Sequence, residues 1–309
     1  MPVTRARRLM LALAIVCPAM AVLAEGQAVA PKHLIHGNGP VALAMRNASE
    51  AVILQLKGRV SAFDVRRWTT GETLFSVPDD FDATDLSAAS WGSRQVVCLM
   101  LDSHSAASER NFVLQLVDRR EVWSWLDVRG VYTAVAIDAA RGFVYAGNST
   151  TNSVFRLRLG EEKQTAVRMV TFPGASRIGA MAVDPQGHRL FVADYDGGRI
   201  FVWDMEGGRT RTIAAPELSE IRALAWDGRN RRLYIADSGT EGVWSVPDDG
   251  GRPRLLLRDG RFRQPSGLAM AADDALAVTD ESSGAVFSVG TADGVVRQVA
   301  TLSAAARGR

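Results

Sequence analysis

The sequence predicts an all-β chain folded as a six-bladed β-propeller of four-stranded antiparallel blades, and a repeat and a length carry that prediction. An apolar run leading to Asp recurs as Ala136-Ile137-Asp138, Ala182-Val183-Asp184 and Ala225-Trp226-Asp227, and degenerates to Ala269-Met270-Ala271. Each is followed by a second apolar run that ends in a polar residue, at Phe143 to Asn148, Leu190 to Asp194, Leu233 to Asp237 and Leu276 to Asp280. The end points step by 46, 43 and 43 residues. Short strands separated by Gly- and Asp-rich turns at that period are the mark of propeller blades. Counting toward the N-terminus from Asn148 reaches Asp102, which ends Val96 to Leu101, and then Lys57, which ends Ala51 to Leu56. Six such units fill residues 38–303, and a seventh has no room.

The elements follow in order. Residues 1–24 read as a secretory signal peptide: Arg5, Arg7 and Arg8 form a basic start, Leu9 to Val16 an apolar stretch, and Val22-Leu23-Ala24 a cleavage site with small residues. Pro18 interrupts the apolar stretch, which is too short to span a bilayer. The expected location is therefore periplasmic or secreted, with no stable membrane span after cleavage. A lead (25–37) precedes the propeller (38–303), and a short tail (304–309) follows it. Blade five is the clearest unit, with strands at Ala223 to Trp226, Arg232 to Ala236, Val243 to Val246 and Pro253 to Leu257. Blade four repeats it at Ala180 to Val183, Arg189 to Ala193, Ile200 to Trp203 and Arg211 to Ala214.

Two positions in the repeat read as core. Leu99, Tyr145, Phe191, Tyr234 and Ala277 stand three residues before the end points, where neighbouring blades pack face to face. Gly147, Ala193, Ala236 and Thr279 stand one residue before them and are small. The seven tryptophans fall in or near strands and read as packing residues rather than a stacking platform.

Composition excludes several functions. Without residues 1–24 the chain carries 33 basic and 34 acidic side chains, so no clustered basic surface for nucleic acid is implied. Cys98 is then the single cysteine, set in an apolar run, and no intramolecular disulfide is available. After the signal there is no helix-period segment and no Gly-rich phosphate loop before a helix, which argues against nucleotide chemistry.

The segments Ala223 to Leu257 and Ala180 to Ile213 resemble NHL and YWTD-type repeats, through an Ala-x-Asp strand, a run such as Leu233-Tyr234-Ile235-Ala236-Asp237, a turn and a third strand. The resemblance is clear over 131–301 and weak over 38–130. It implies an extracytoplasmic binding or scaffold module, a job the blade motif itself does not specify. The SMP-30/gluconolactonase group neighbours these repeats and implies a divalent cation, such as calcium or zinc, held by Asn, Asp and Glu at the starts of innermost strands. Here those places carry Thr133, Gly179, Arg222 and Ser266, and no Glu stands in Asn38-Gly39-Pro40. Hard cations want several oxygen ligands, usually carboxylates, so the reading without a cofactor is preferred.

Loops entering the innermost strands and loops joining strands two and three share one face of a propeller. That face collects Asp102, Asn148, Asp194, Asp196, Asp237, Glu241, Asp280 and Glu281 with Arg177, Arg222, Tyr132 and Tyr195. Asp194, Asp237 and Asp280 recur blade by blade and read as turn-holding residues. The non-repeated residues Tyr132, Arg177, Tyr195, Asp196, Arg222 and Glu241 are the candidate ligand- or partner-binding set, for a protein or small polar ligand. His33 and His36 offer too few ligands for a metal, and Ser103, His104 and Glu109 lack a nucleophile-elbow motif, so no catalytic residue is assigned. The alternative reading is a metal-dependent lactone or ester hydrolase.

Overall fold

Six four-stranded antiparallel sheets are what the repeat becomes, each made from consecutive strands. The computed structural model describes residues 40–47, 49–55, 58–103, 111–271 and 274–302. The signal segment, the lead and the tail, and with them His33, His36, Lys57, His104 and Glu109, lie outside the described residues.

Blade one holds β1 (Pro40–Asn47), β2 (Glu50–Gln55), β3 (Arg59–Asp64) and β4 (Thr69–Ser76). Blade two holds β5 (Phe81–Trp91), β6 (Arg94–Ser103), β7 (Asn111–Val117) and β8 (Arg120–Leu126). Blade three holds β9 (Tyr132–Asp138), β10 (Phe143–Asn148), β11 (Ser153–Arg158) and β12 (Val167–Thr171). Blade four holds β13 (Ile178–Asp184), β14 (Arg189–Asp194), β15 (Arg199–Asp204) and β16 (Thr210–Ala214). Blade five holds β17 (Ile221–Asp227), β18 (Arg232–Asp237), β19 (Gly242–Pro247) and β20 (Arg254–Arg258). Blade six holds β21 (Pro265–Met270), β22 (Ala275–Asp280), β23 (Ala285–Gly290) and β24 (Val296–Thr301). The strands expected for blades four and five lie inside these bounds or within a residue of them. Blade one differs: Gln55, not Lys57, pairs with the first residues of its neighbouring strands.

Burial grades outward. The second strands are almost wholly buried, whereas β4, β12, β16 and β20 expose most of their residues. Both repeat positions assigned to the core are buried, including Leu99, Tyr145, Phe191, Tyr234, Ala193, Ala236 and Thr279. They pack between blades: Phe191 and Ala193 of blade four lie in one cluster with Leu224 and Ile235 of blade five. Cys98 is buried, and burial pushes its thiol far above its ordinary pKa, which makes it inert. Trp203 is buried; Trp125, in β8, is exposed.

Among the described residues the ring closes without an exchanged strand. Blade six packs directly on blade one, with Ala277, Val286 and Leu302 meeting Leu43, Ile53 and Phe63. Gly267 permits that approach, because a Cβ there would stand 2.7 Å from the Leu43 nitrogen.

The repeated acids hold the turns. Asp237 accepts from the Ser219 and Glu220 backbone N–H groups (3.1 and 2.8 Å) and from Thr240 N–H (2.8 Å). Asp280 does the same with Arg263, Gln264 and Ser283, and Asp194 with Ser176 and Arg177 while pairing with Arg199 at 2.8 Å. Burial opposes the ionisation of Asp194 and Asp280, yet these hydrogen bonds outweigh it and hold both carboxyls below the ordinary range. Asp237 and Asp280 thus tie the loop entering their own blade to the turn leaving its second strand, and Asp194 ties its loop to Arg199 at the start of β15.

Candidate ligand-binding face and central channel

Each innermost strand carries a β-bulge within its first four residues. The extra residues are Val41, Thr84, Thr133, Gly179, Arg222 and Ser266. A bulge re-aims a side chain, and these six form a ring at one end of the innermost strands, of which Arg222 and Ser266 line the central channel. The ring residues mostly bind the neighbouring blade. The Thr84 and Thr133 hydroxyls donate to the carbonyls of Tyr132 (3.0 Å) and Ile178 (2.5 Å). At Gly179 a Cβ would stand 2.7 Å from the Ile221 carbonyl and 2.9 Å from the Tyr195 ring, so glycine alone fits there unstrained. Arg222 reaches to Glu281 of blade six at 2.7 Å. Ser266 is buried, its hydroxyl 3.2 Å from that of Thr279.

This donor set does not suit a divalent cation. None of the six side chains is a carboxylate or a carboxamide, one is a guanidinium, and two of the hydroxyls are committed as donors to the next blade. Among the described residues no group of three or more His, Cys, Asp or Glu side chains is placed to hold an ion.

Four of the candidate residues come together beside the ring. The Arg177 guanidinium lies over the Tyr195 ring at 4.1 Å and pairs with Asp196 at 3.2 Å. The Tyr195 hydroxyl approaches Glu220 at 3.5 Å and also meets Arg222. Burial raises the Tyr195 pKa, and the guanidiniums of Arg222 and Arg177 only moderate that rise. The result is a continuous chain from Asp196 through Arg177, Tyr195 and Arg222 to Glu281, spanning blades four to six. Stacked and paired arginines of this kind are fixed in place before any ligand arrives.

The other two candidates sit elsewhere. Tyr132 is 1 % exposed, packs on Phe155, and donates its hydroxyl to the Val128 carbonyl at 3.2 Å. Burial pushes its pKa up to about 12. It opens β9 at the place held by Ile178 and Ile221 in the next blades, which is a core position. Glu241 is exposed and has φ of 53°, at the turn position occupied by Gly198 and Gly284 in blades four and six. Holding a non-glycine residue there is costly.

One residue was not foreseen from sequence. Asp85 of β5 lines the channel, a cavity of about 280 Å³ bounded by the innermost strands of all six blades. Its two oxygens accept from Val135 N–H of the next blade and from Leu86 N–H, each at 2.8 Å. Burial, outweighing these two bonds, pushes its pKa up to about 7. Arg222 is the other charged residue lining the cavity among the described residues.

A family profile described as the SMP-30/Gluconolactonase/LRE-like region matches residues 25–235. No curated protein matches the sequence. Among solved structures, a chain of the nidogen/laminin complex is similar with a TM-score of 0.68 at 16% identity, over 82% of this chain and 94% of that one. Virginiamycin B lyase from Staphylococcus aureus gives 0.59 at 12% identity, over 86% and 85%. An auxiliary nutrient binding protein from Bacteroides thetaiotaomicron gives 0.60 at 11%, over 79% and 67%. At these identities the likeness establishes the propeller fold and nothing finer.

Proposed function

The chain belongs to the SMP-30/gluconolactonase/LRE-like family, and from that premise we propose that it is an exported, non-enzymatic binding propeller. It takes a protein segment or a small polar ligand at the face built from Arg177, Tyr195, Asp196, Arg222 and Glu281. The observation that carries this reading is Arg222. It stands at a bulge of the channel mouth, where a metal-dependent member of the family would need an oxygen ligand, and it is paired with Glu281 at 2.7 Å. A guanidinium offers no lone pair to a metal ion at that place and serves instead as part of a polar recognition surface. The basic and apolar pattern of residues 1–24 supports export to the periplasm or beyond. The acidic residues around the mouth argue for a basic or polar partner and against nucleic acid.

Family membership keeps one second reading in view, metal-dependent hydrolysis of a lactone or ester. The purified protein is assayed with gluconolactone and simple esters in the presence of calcium and then zinc. The expected rate is the uncatalysed background with either metal. Metal-dependent turnover would overturn the binding reading.

A further inference from the structure

The geometry points to the central channel as a binding site for a small organic monocation, its ammonium group seated on the Asp85 carboxylate below the Arg222–Glu281 pair. This inference rests on the reading of the protein as a binding module and names a ligand class for it. The first support is size. A cavity of about 280 Å³ lies just under the usual 300–1,000 Å³ of small-molecule sites, so it suits a short molecule. Leu86, Val135, Leu224 and Leu268 are among the residues that line it and offer apolar contact to an alkyl chain.

The second support is charge. Arg222 is compensated by Glu281, whereas Asp85 has no cationic partner among the contacts of its carboxylate, only the Val135 and Leu86 N–H groups. The ionisable groups on the strands packed around it are Arg46 on β1, Glu50 on β2, Arg94, Cys98 and Asp102 on β6, and Tyr132 and Asp138 on β9. None of them contributes to the Asp85 pKa, which is set by burial and by the two N–H donors. A monocation would therefore neutralise the one uncompensated charge on the wall.

The third support is hydrogen-bonding capacity. Joining blade two to blade three needs only an acceptor for Val135 N–H, which a neutral side chain supplies. A carboxylate has about four acceptor sites, and two are used. The remaining two can take two of the three donors of an ammonium group.

The test uses butylammonium as the probe, with butyrate and butanol as controls, titrated calorimetrically into the full chain at pH 8 and pH 6. The probe stays protonated at both values, since an alkylammonium titrates near ~10.4. Asp85 is mostly ionised at pH 8 and mostly protonated at pH 6, so binding is expected to be about tenfold tighter at pH 8. Asp85→Asn is expected to weaken butylammonium binding at least tenfold and to remove its pH dependence. Should that variant fail to fold, the wild-type pH ratio still decides. A second check follows the Asp85 carboxyl resonance by NMR, whose apparent pKa is expected to fall on probe binding. No binding, equal affinity at the two pH values, undiminished binding by a folded Asp85→Asn, or equal binding of butyrate or butanol would overturn the proposal. The hydrolysis assay reads the binding-module premise separately: background turnover with no butylammonium binding rejects the channel site alone, and metal-dependent turnover rejects the premise.

Discussion

Tyr234→Ala is expected to cost about 3–5 kcal/mol of stability, the usual range for deleting a buried aromatic. The side chain is 2 % exposed and packs where blade five meets blade six, against a cluster holding Phe262, Leu268, Leu276 and Phe287. Its strand pairs Tyr234 with Ala225 on one side and Ser245 on the other, two small residues that cannot collapse into the space left behind. Urea unfolding monitored by tryptophan fluorescence reads the change as a lower midpoint at unchanged slope. A wild-type midpoint would mean that the blade register is wrong.

Asp248→Ala is expected to cost about 1–3 kcal/mol, by a different route. Asp248 is 1 % exposed and follows β19, on the loop connecting it to β20. It accepts from Arg189 of blade four at 2.7 Å and from Arg231 at 3.0 Å, while Arg189 is also bound to Asp184 at 2.6 Å. Removing Asp248 leaves the half-buried Arg189 guanidinium short of one counter-charge in a position that water reaches poorly. Asp248→Asn is expected to lose less, because it keeps an acceptor. Equal unfolding midpoints for wild type and Asp248→Ala would show that the pair contributes nothing to the joint between blades four and five.

The fold was legible because the repeat is written in physical necessities. Asp194, Asp237 and Asp280 recur because each blade must tie down the same orphaned loop N–H groups. Phe191 and Tyr234 recur in kind because each blade must bury one face against the next. Blade one escaped by two residues: Gln55, not Lys57, closes the paired part of its second strand. The binding face was legible in part. Arg177, Tyr195, Asp196 and Arg222 gather because they occupy equivalent ends of adjacent blades, which the period alone places side by side. Tyr132 fits the same sequence pattern but occupies a register position that is Ile178 and Ile221 in the next blades, and counting pairs across the strands identifies it as core. Asp85 was invisible for a different reason. It follows the bulge at Thr84 and pairs with Met100, just as Ala134 follows the bulge at Thr133 and pairs with Gly147. The repeat gives that place a small residue, Ala134 in β9, Ala223 in β17 and Gly267 in β21, so the period predicts no acid at the channel wall. A lone charge amid Leu86, Ser87, Ala88 and Ala89 was the signal available.

The channel mouth therefore differs from a metal-dependent hydrolase in the chemistry of its ring: a valine, two threonines spent on the next blade, a glycine, a buried serine and a paired arginine. The measurement that tests this most directly is the melting temperature of the protein with excess calcium and then with a chelator. A site filled at about a hundred times its dissociation constant adds about 2.7 kcal/mol, which in a domain of this size moves the midpoint by several degrees. The account predicts the same melting temperature in both conditions. A rise of several degrees with calcium, reversed by the chelator, would contradict it.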